Sequence, residues 1–425
     1  MQKTIYPKKS LSGTITVPGD KSISHRAVMF GSIAEGTTEI SGFLTGDDCM
    51  STIACFKKLG IDIDVDGDKV KVHGKGLNGL TAPTETLDAG NSGTTIRLIS
   101  GILAAQPFVC EITGDASIQK RPMNRVINPL SLMGAKIKGI KKDGFAPLKI
   151  EGTKLKAMEY ELPVASAQVK SAILLASLFA DGTTTVIEPV ASRNHTEIML
   201  NYFGADIKNE NGRITSTPVK QLYGKPVVVP SDISSAAFFM VAGLIVPNSH
   251  IIIKNVGVNE TRTGIIDALK EMGGDITILN ENNDSGEPIA DIEVKSSKLH
   301  GITLQGDIIP RMIDEIPVFA VAALMADGTT TVKDAQELKV KESNRIATMA
   351  QELGKMGADI TETDDGMIIK GNAKLSGAEV ESHNDHRVAM SLAIAGLVAD
   401  GETKINDAES VAISFPTFYD YIEKL

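Results

Sequence analysis

The 425-residue sequence predicts an α/β protein made of six similar repeats, grouped three and three. Three observations predict it. One phrase closes five helix-like stretches: an apolar residue, Gly, one small or apolar residue, a charged residue, then Ile. Its copies are Leu59-Gly60-Ile61-Asp62-Ile63, Met133-Gly134-Ala135-Lys136-Ile137, Phe203-Gly204-Ala205-Asp206-Ile207, Met272-Gly273-Gly274-Asp275-Ile276 and Met356-Gly357-Ala358-Asp359-Ile360, with glycines 69 to 84 residues apart. A second phrase, Gly-Thr-Thr, falls between these anchors at Gly36, Gly182 and Gly328, with a looser echo at Gly401-Glu402-Thr403. A third, Val17-Pro18-Gly19-Asp20, has a near copy in Val229-Pro230-Ser231-Asp232. Self-similarity at a steady period marks a repeat architecture. A unit of ~70 residues is longer than a solenoid repeat of ~20–45. It is also small for a core of its own, so the repeats are expected to share cores.

The elements follow in a fixed order, clearest in the third repeat. An apolar helix with small residues spans 165–180, and a β-branched strand follows from Thr183 to Ile187. An amphipathic helix spans 197–203, Gly204 supplies a left-handed cap, and Ala205-Asp206-Ile207 opens the next strand. In the first repeat the apolar helix runs to about Ala34, with Ser22 or Ser24 as its cap. In nearly every repeat, polar or charged residues precede the apolar helix. The sixth repeat ends with the chain near Leu425, with no strand expected after it. The two Val-Pro phrases read as domain crossovers. They predict one domain over 20–229 and another over 1–19 plus 230–425.

Composition excludes several classes of function. Hydrophobic residues make up 42%, aromatics only 4%, and Trp is absent, so Ile, Val, Leu, Ala and Met must build the cores. No apolar run reaches the ~18–20 residues of a membrane span, and residues 1–10 lack the apolar segment of a secretory signal. Cys49, Cys55 and Cys110 are odd in number and have no metal-ligand spacing, which fits buried thiols in a reducing cytoplasm. The net charge of −10 disfavours nucleic acid as a partner. Against that acidity, local clusters of Lys and Arg stand out.

Those clusters sit before helix starts, where free N–H groups and the helix dipole attract anions. Gly19-Asp20-Lys21-Ser22-Ile23-Ser24-His25-Arg26 is the first, and Gly90-Asn91-Ser92-Gly93-Thr94-Thr95-Ile96-Arg97 the second. The second is not a Walker loop, because no Gly-Lys-Ser/Thr closes it. Lys120-Arg121-Pro122-Met123-Asn124-Arg125 packs three cations into six residues. Ser166-Ala167-Gln168-Val169-Lys170 and Ser192-Arg193-Asn194-His195 combine hydroxyl, amide and guanidinium groups suited to a phosphate or polyol. The second half adds Asp314-Glu315, the run from Lys341 to Arg345, and Asn384-Asp385-His386-Arg387. On a helix Lys341 and Arg345 are i, i+4 neighbours, a costly pairing unless an anion lies between them. If the apolar helices run parallel, their N-termini converge and focus an anion-attracting field.

Residues 19–26, 90–97, 120–125, 341–345 and 385–387 together resemble the 5-enolpyruvylshikimate-3-phosphate synthase family over essentially the whole chain. Arg121-Pro122-Met123-Asn124-Arg125 and Ser192-Arg193-Asn194-His195-Thr196 look like its class II branch. The resemblance implies two domains, each of three βαβαββ-type units with buried parallel helices, an inside-out α/β barrel. It implies a cytoplasmic, monomeric transferase of the shikimate pathway, on the route to chorismate and aromatic amino acids. Such an enzyme moves the enolpyruvyl group of phosphoenolpyruvate to the 5-hydroxyl of shikimate 3-phosphate and releases phosphate through a tetrahedral intermediate. The resemblance further implies no metal, no organic cofactor, and inhibition by glyphosate.

Two phosphates at about −1.5 to −2 each, with two carboxylates, bring roughly five to six negative charges to such a site. By the resemblance, Lys21, Ser22, Arg26, Ser166, Gln168 and Arg193 hold shikimate 3-phosphate, with Ala167 through its backbone and with Asp314 and Lys341. Lys21, Asn91, Gly93, Thr94, Arg121, Gln168, Arg345, His386 and Arg387 hold phosphoenolpyruvate. Asp314 is the implied base toward the 5-hydroxyl, and Glu342 the implied proton donor to the methylene carbon, with Lys21 sharing proton transfer. The chain departs from some relatives at Ala167, where they carry Ser, and at Ile413, where they carry a Lys near phosphoenolpyruvate. Gly93 is the residue implied for glyphosate-sensitive forms. Two alternatives carry different expectations. UDP-N-acetylglucosamine enolpyruvyl transferases carry a Cys in the loop matching 114–123, and this loop has none; Cys110 lies earlier, in an apolar strand. A non-catalytic anion-binding homologue is expected to lack Lys21, Asp314, Glu342 or Arg387, and all four are present.

Overall fold

A computed structural model describes residues 1–283 and 286–425. The chain forms two compact units. One comprises Met1–Pro18, Pro230–Asn283 and Pro288–Leu425; the other comprises Gly19–Val229, to which Gly286 and Glu287 also belong. Each unit has its own hydrophobic core.

Three apolar helices fill each core. In the Gly19 unit they are α1 (Lys21–Ser32), α2 (Gly93–Leu103) and α3 (Ala167–Ser177). In the other they are α4 (Ile233–Ile245), α5 (Ile316–Met325) and α6 (His386–Gly396). Their sequences explain the placement. Neither α4 nor α5 contains a charged residue, and a helix that is apolar on every side must be buried on every side. Small residues let the backbones approach closely. A Cβ on Gly101 of α2 would lie 2.3 Å from the carbonyl oxygen of Ala172 in α3. Near the helix starts Gln168 of α3 donates to Thr94 of α2, so the two helices run parallel.

Small sheets pack around the helices, with one recurring topology. Leu87–Asp88 pairs in parallel with Val109–Thr113 across α2, and Leu148–Glu151 and Lys136–Gly139 extend the sheet antiparallel. Glu159–Glu161 and Thr184–Ile187 repeat the pattern across α3. Thr303–Leu304 and Thr329–Val332 repeat it across α5. A parallel pair needs a crossover, and the inner helix is that crossover.

The exceptions lie at the two Val-Pro phrases. Ser12–Ile15 leads toward α1 but pairs with His250–Gly257, the strand after α4. Val227–Val228 leads toward α4 but pairs with Glu35–Ser41, the strand after α1. The sixth repeat also differs from expectation. Glu379–Glu381 and Thr403–Asn406 pair in parallel, and the antiparallel neighbour is Lys3–Ile5 from the start of the chain. The repeat therefore does have its third strand, taken from the other terminus. The closing helix, Phe418–Lys424, packs its aromatic rings around Phe239 of α4, with Phe418 at 5.7 Å and Tyr421 at 6.0 Å between centroids.

Burial pushes the Cys55 and Cys110 thiols up to about 12, consistent with small apolar core residues. Among the described residues no helix is long and apolar enough to cross a membrane, and no group of three or more His, Cys, Asp or Glu is placed to hold a metal ion.

The five phrase glycines all have left-handed φ, from +88° at Gly60 to +104° at Gly204. Ala at any of them costs about 1–2 kcal/mol in backbone strain. Gly60 should cost more, because a Cβ there would lie 2.3 Å from Thr81 Oγ1, whereas at Gly134 the nearest atom is 3.7 Å away. Urea unfolding should therefore rank Gly60→Ala below Gly134→Ala. Equal midpoints would sink the steric part of this account.

Candidate active site

In the Gly19 unit the candidate residues gather at the N-termini of α1, α2 and α3. Asp20, not Ser22 or Ser24, caps α1, accepting from the Ile23 amide at 2.9 Å. Ser24 lies too deep to cap; it is buried and accepts from the Leu44 amide at 3.0 Å. Ser22 stays half-buried in the first turn. Lys21 sits 3.0 Å from Asp48, in the first turn of the neighbouring helix Asp47–Lys58. Arg26 is buried and held on three sides. Its Nε donates to Thr196 Oγ1 at 2.8 Å, one Nη to Ser171 Oγ at 3.0 Å, and the other to the Ser22 carbonyl at 3.0 Å. Burial lowers its pKa to about 10, against the pull of Glu197, so the guanidinium stays charged at neutral pH. The half-buried Arg193 is close enough for its charge to repel that of Arg26.

Ser92 caps α2, accepting from the Thr95 amide at 3.1 Å. The next residue, Gly93, lies against two guanidinium groups. A Cβ there would be 2.9 Å from Arg97 Nη1 and 3.6 Å from Arg121 Nη1. Arg121 donates to Ser117 Oγ at 3.2 Å and to Asn91 Oδ1 at 3.4 Å, and Asn91 donates to Asp115 at 2.7 Å. Of the three cations in 120–125, only Arg121 turns inward; Lys120 and Arg125 are exposed. Arg97 donates to Gln168 Oε1 at 2.5 Å, so Gln168 is fixed between Arg97 and Thr94. Arg97 closes the Gly90–Arg97 motif and receives no role from the resemblance; its position one turn below Gly93 is the signal of this contact. Ser166 occupies the cap position of α3 without a side-chain cap bond, and Ser166, Ala167 and Gln168 are all half-buried.

In the other unit the candidates gather at the starts of α4, α5 and α6. Asp232 caps α4, accepting from the Ser234 amide at 2.9 Å. Glu315, at the cap position of α5, accepts from the Ser234 hydroxyl. Asp385 caps α6 through the Arg387 amide at 3.0 Å, and also accepts from Ser343 at 3.0 Å and Arg345 Nε at 2.9 Å. Arg345 reaches Glu342 at 2.6 Å and Asp314 Oδ1 at 3.5 Å, and Lys341 lies 3.6 Å from that same Asp314 oxygen. Arg387 donates to the Asp314 carbonyl at 3.1 Å, and His386 is buried beside it on α6. Burial alone would lower the Arg345 pKa, but Glu342, Asp385 and Asp314 outweigh it and raise it. Burial would likewise raise Asp385, yet the Arg345 charge and hydrogen bond hold it below the usual carboxylate range.

Lys341 and Arg345 do not share a helix. The helix begins only at Arg345, because Asn344 caps it by accepting from the Ala347 amide at 3.3 Å. The two cations instead converge on Asp314, the protein's own anion between them. Ile413 is half-buried in the short turn Ala408–Ile413 and brings no charge.

The family model described as EPSP synthase (3-phosphoshikimate 1-carboxyvinyltransferase) matches residues 5–422. The chain belongs to this family. It is 60% identical over 425 residues, the full length of both chains, to the 3-phosphoshikimate 1-carboxyvinyltransferase of Thermoanaerobacter sp. (strain X514). It is 58% identical, over 100% of this chain and 99% of the relative, to the enzyme of that name from Bacillus thuringiensis subsp. konkukian. An EPSP synthase structure from Acinetobacter baumannii superimposes with a TM-score of 0.92 at 49% identity, covering 100% of this chain and 98% of that one. The fold is therefore that of the enolpyruvyl transferases. These relatives carry the name of the shikimate enzyme, and the nucleotide-sugar alternative has no support among them.

His25 gives a test of how dry the Gly19-unit helix starts are. It bonds Thr52 at 2.7 Å, and burial lowers its pKa from 6.5 to about 3. The unfolded chain thus binds a proton below about pH 6.5 that the folded chain refuses until about 3. Stability from the neutral ring is full above 6.5 and falls as pH drops through that window. By about pH 5 the loss is on the order of 2 kcal/mol. His25→Gln should remove this slope, so the stability gap between wild type and variant narrows on acidification. A gap independent of pH in urea melts would overturn the assignment.

Proposed function

We propose that this chain transfers the enolpyruvyl group of phosphoenolpyruvate to the 5-hydroxyl of shikimate 3-phosphate, releasing inorganic phosphate. The observation that carries the reading is family membership over residues 5–422 in a chain that keeps Lys21, Asp314, Glu342 and Arg387.

The acceptor is assigned to the Gly19 unit. The start of α3 has no side-chain cap bond from Ser166, so its first N–H groups suit a phosphate, with the helix dipole adding to the attraction. Ser22, Arg26, Ala167, Gln168 and Arg193 complete that set. Asn91, Gly93, Thr94 and Arg121 take phosphoenolpyruvate, together with Lys21, which serves both substrates. Gln168, fixed by Arg97 and Thr94, lies at the junction of the two sets.

The other unit supplies Asp314, Lys341, Glu342, Arg345, His386 and Arg387. Asp314 accepts the proton of the 5-hydroxyl as that oxygen attacks C2 of the donor. Lys341 and Arg345 hold its carboxylate in place. Glu342, oriented by Arg345, delivers a proton to the methylene carbon, and Lys21 shares that transfer. Elimination then returns the double bond and expels phosphate. Fixed cations placed where negative charge collects are the main source of rate in such a site.

Phosphate release should test the base. Asp314→Asn keeps the shape and removes the acceptor, and kcat should fall by roughly 10²–10⁴-fold, with the KM for phosphoenolpyruvate much less affected. A fall of less than about tenfold would take Asp314 out of that role.

Glyphosate should inhibit in competition with phosphoenolpyruvate, and wild-type turnover unchanged in excess glyphosate would refute this. In Gly93→Ala the new methyl meets Arg97 Nη1 at 2.9 Å. The half-inhibitory glyphosate concentration should rise at least about tenfold, a difference of roughly 1.4 kcal/mol. A rise in the KM for phosphoenolpyruvate should accompany it.

A further inference from the structure

Arg193 stands in the connection between the strand Thr184–Ile187 and the helix His195–Tyr202. That connection is fastened by one buried cation, at the end of the Ser166–Lys170 motif, to which no role has been assigned. Lys170 of α3 is 0% exposed. Its ammonium lies 2.8 Å from Glu188, where the connection begins, and 2.6 Å from Glu197, in the first turn of the helix that ends it. It lies 3.4 Å from the carbonyl of Ser192, next to Arg193. Glu188 and the Ser192 carbonyl accept hydrogen bonds from the ammonium, and Glu197 faces it as an ion pair, so three groups on one segment meet one cation. The other oxygen of Glu188 takes the Ser192 hydroxyl. The next residue on α3, Ser171, meets Thr196 at 2.7 Å and Arg26 at 3.0 Å.

We propose that Lys170 is a positioning residue: it clamps both ends and the middle of the Arg193 connection, and so sets the affinity for the acceptor's phosphate. The proposal rests on the reading that Arg193 and Arg26 receive shikimate 3-phosphate. Stability alone does not account for such a residue, because apolar packing of similar volume serves a core as well or better than a buried ion pair. What a buried polar network supplies instead is a fixed geometry.

The test separates clamp from charge. Lys170, Arg26, Glu188 and Glu197 sum formally to zero, and Lys170→Met combined with Glu188→Gln keeps that sum while removing the ammonium. In this double variant the Kd and KM for shikimate 3-phosphate should rise about tenfold or more, while the KM for phosphoenolpyruvate stays within about twofold. Amide hydrogen exchange over 188–194 should quicken in the ligand-free protein more than over the rest of the Gly19 unit. An acceptor Kd within about twofold of wild type, or an equal rise in both KM values, would overturn the clamp. Should the double variant not fold, Glu197→Gln loosens one end only; a rise of about threefold for the acceptor alone supports the clamp, and no change overturns it. If wild type itself does not bind shikimate 3-phosphate, the functional reading fails, and exchange over 188–194 still decides: unchanged rates overturn the clamp.

Discussion

Everything about the candidate site follows from burying three helices side by side with their starts together. The first turn of any helix leaves N–H groups with no partner inside the helix. On the surface water satisfies them. Packed in a core, they need side chains, or a ligand. Asp20, Ser92, Asp232 and Asp385 answer that need for α1, α2, α4 and α6. Ser166 and Glu315 hold the same position without a side-chain cap bond. The polar residues that punctuate the apolar sequence are therefore where folding requires polarity. Function has been built on positions that could not have been apolar.

The same crowding explains how cations are kept ready. Gathered helix starts repel Lys and Arg, and burial adds a desolvation cost. Carboxylates offset both. Arg345 sits among Glu342, Asp385 and Asp314, and their combined pull outweighs its burial. Lys21 faces Asp48, and Arg26 is within the field of Glu197. Such pairs hold each charge in one place before substrate arrives, so little reorganisation is left for the reaction itself. An acidic chain with basic sites is the natural result.

Much of the fold was legible because left-handed φ is steep for every residue with a Cβ. Five glycines at one place in the repeat give away the helix ends, and Thr-Thr runs mark the strands that follow. What was hidden depended on partners distant in sequence. Nothing local to residues 3–5 says that they close the sheet of residues 379–406, nor that the strands before α1 and α4 pair where they do. At the start of α1, Asp20, Ser22 and Ser24 all suit the cap, and only geometry selects Asp20. The i, i+4 spacing of Lys341 and Arg345 suits a helix, but Asn344 caps the helix at Arg345. Lys170 did carry a signal, a lone charge in the apolar run from Val169 to Ala176, but a single Lys in a helix is unremarkable until its burial is known.

Repetition of topology did not bring repetition of chemistry. The Gly19 unit places Asp, Ser and Ser at the starts of its inner helices and surrounds them with Lys21, Arg26, Arg97 and Arg121. The other unit places Asp, Glu and Asp there, and its cations Arg262, Arg345 and Arg387 are drawn in to those carboxylates. Hydroxyl caps leave nearby guanidinium groups with positive field to spare, which suits holding anions. Acidic caps draw the cations in, and carboxylates such as Asp314 and Glu342 stay oriented but not buried. One helix-start geometry thus carries two different charge settings, according to which residues stand at its caps.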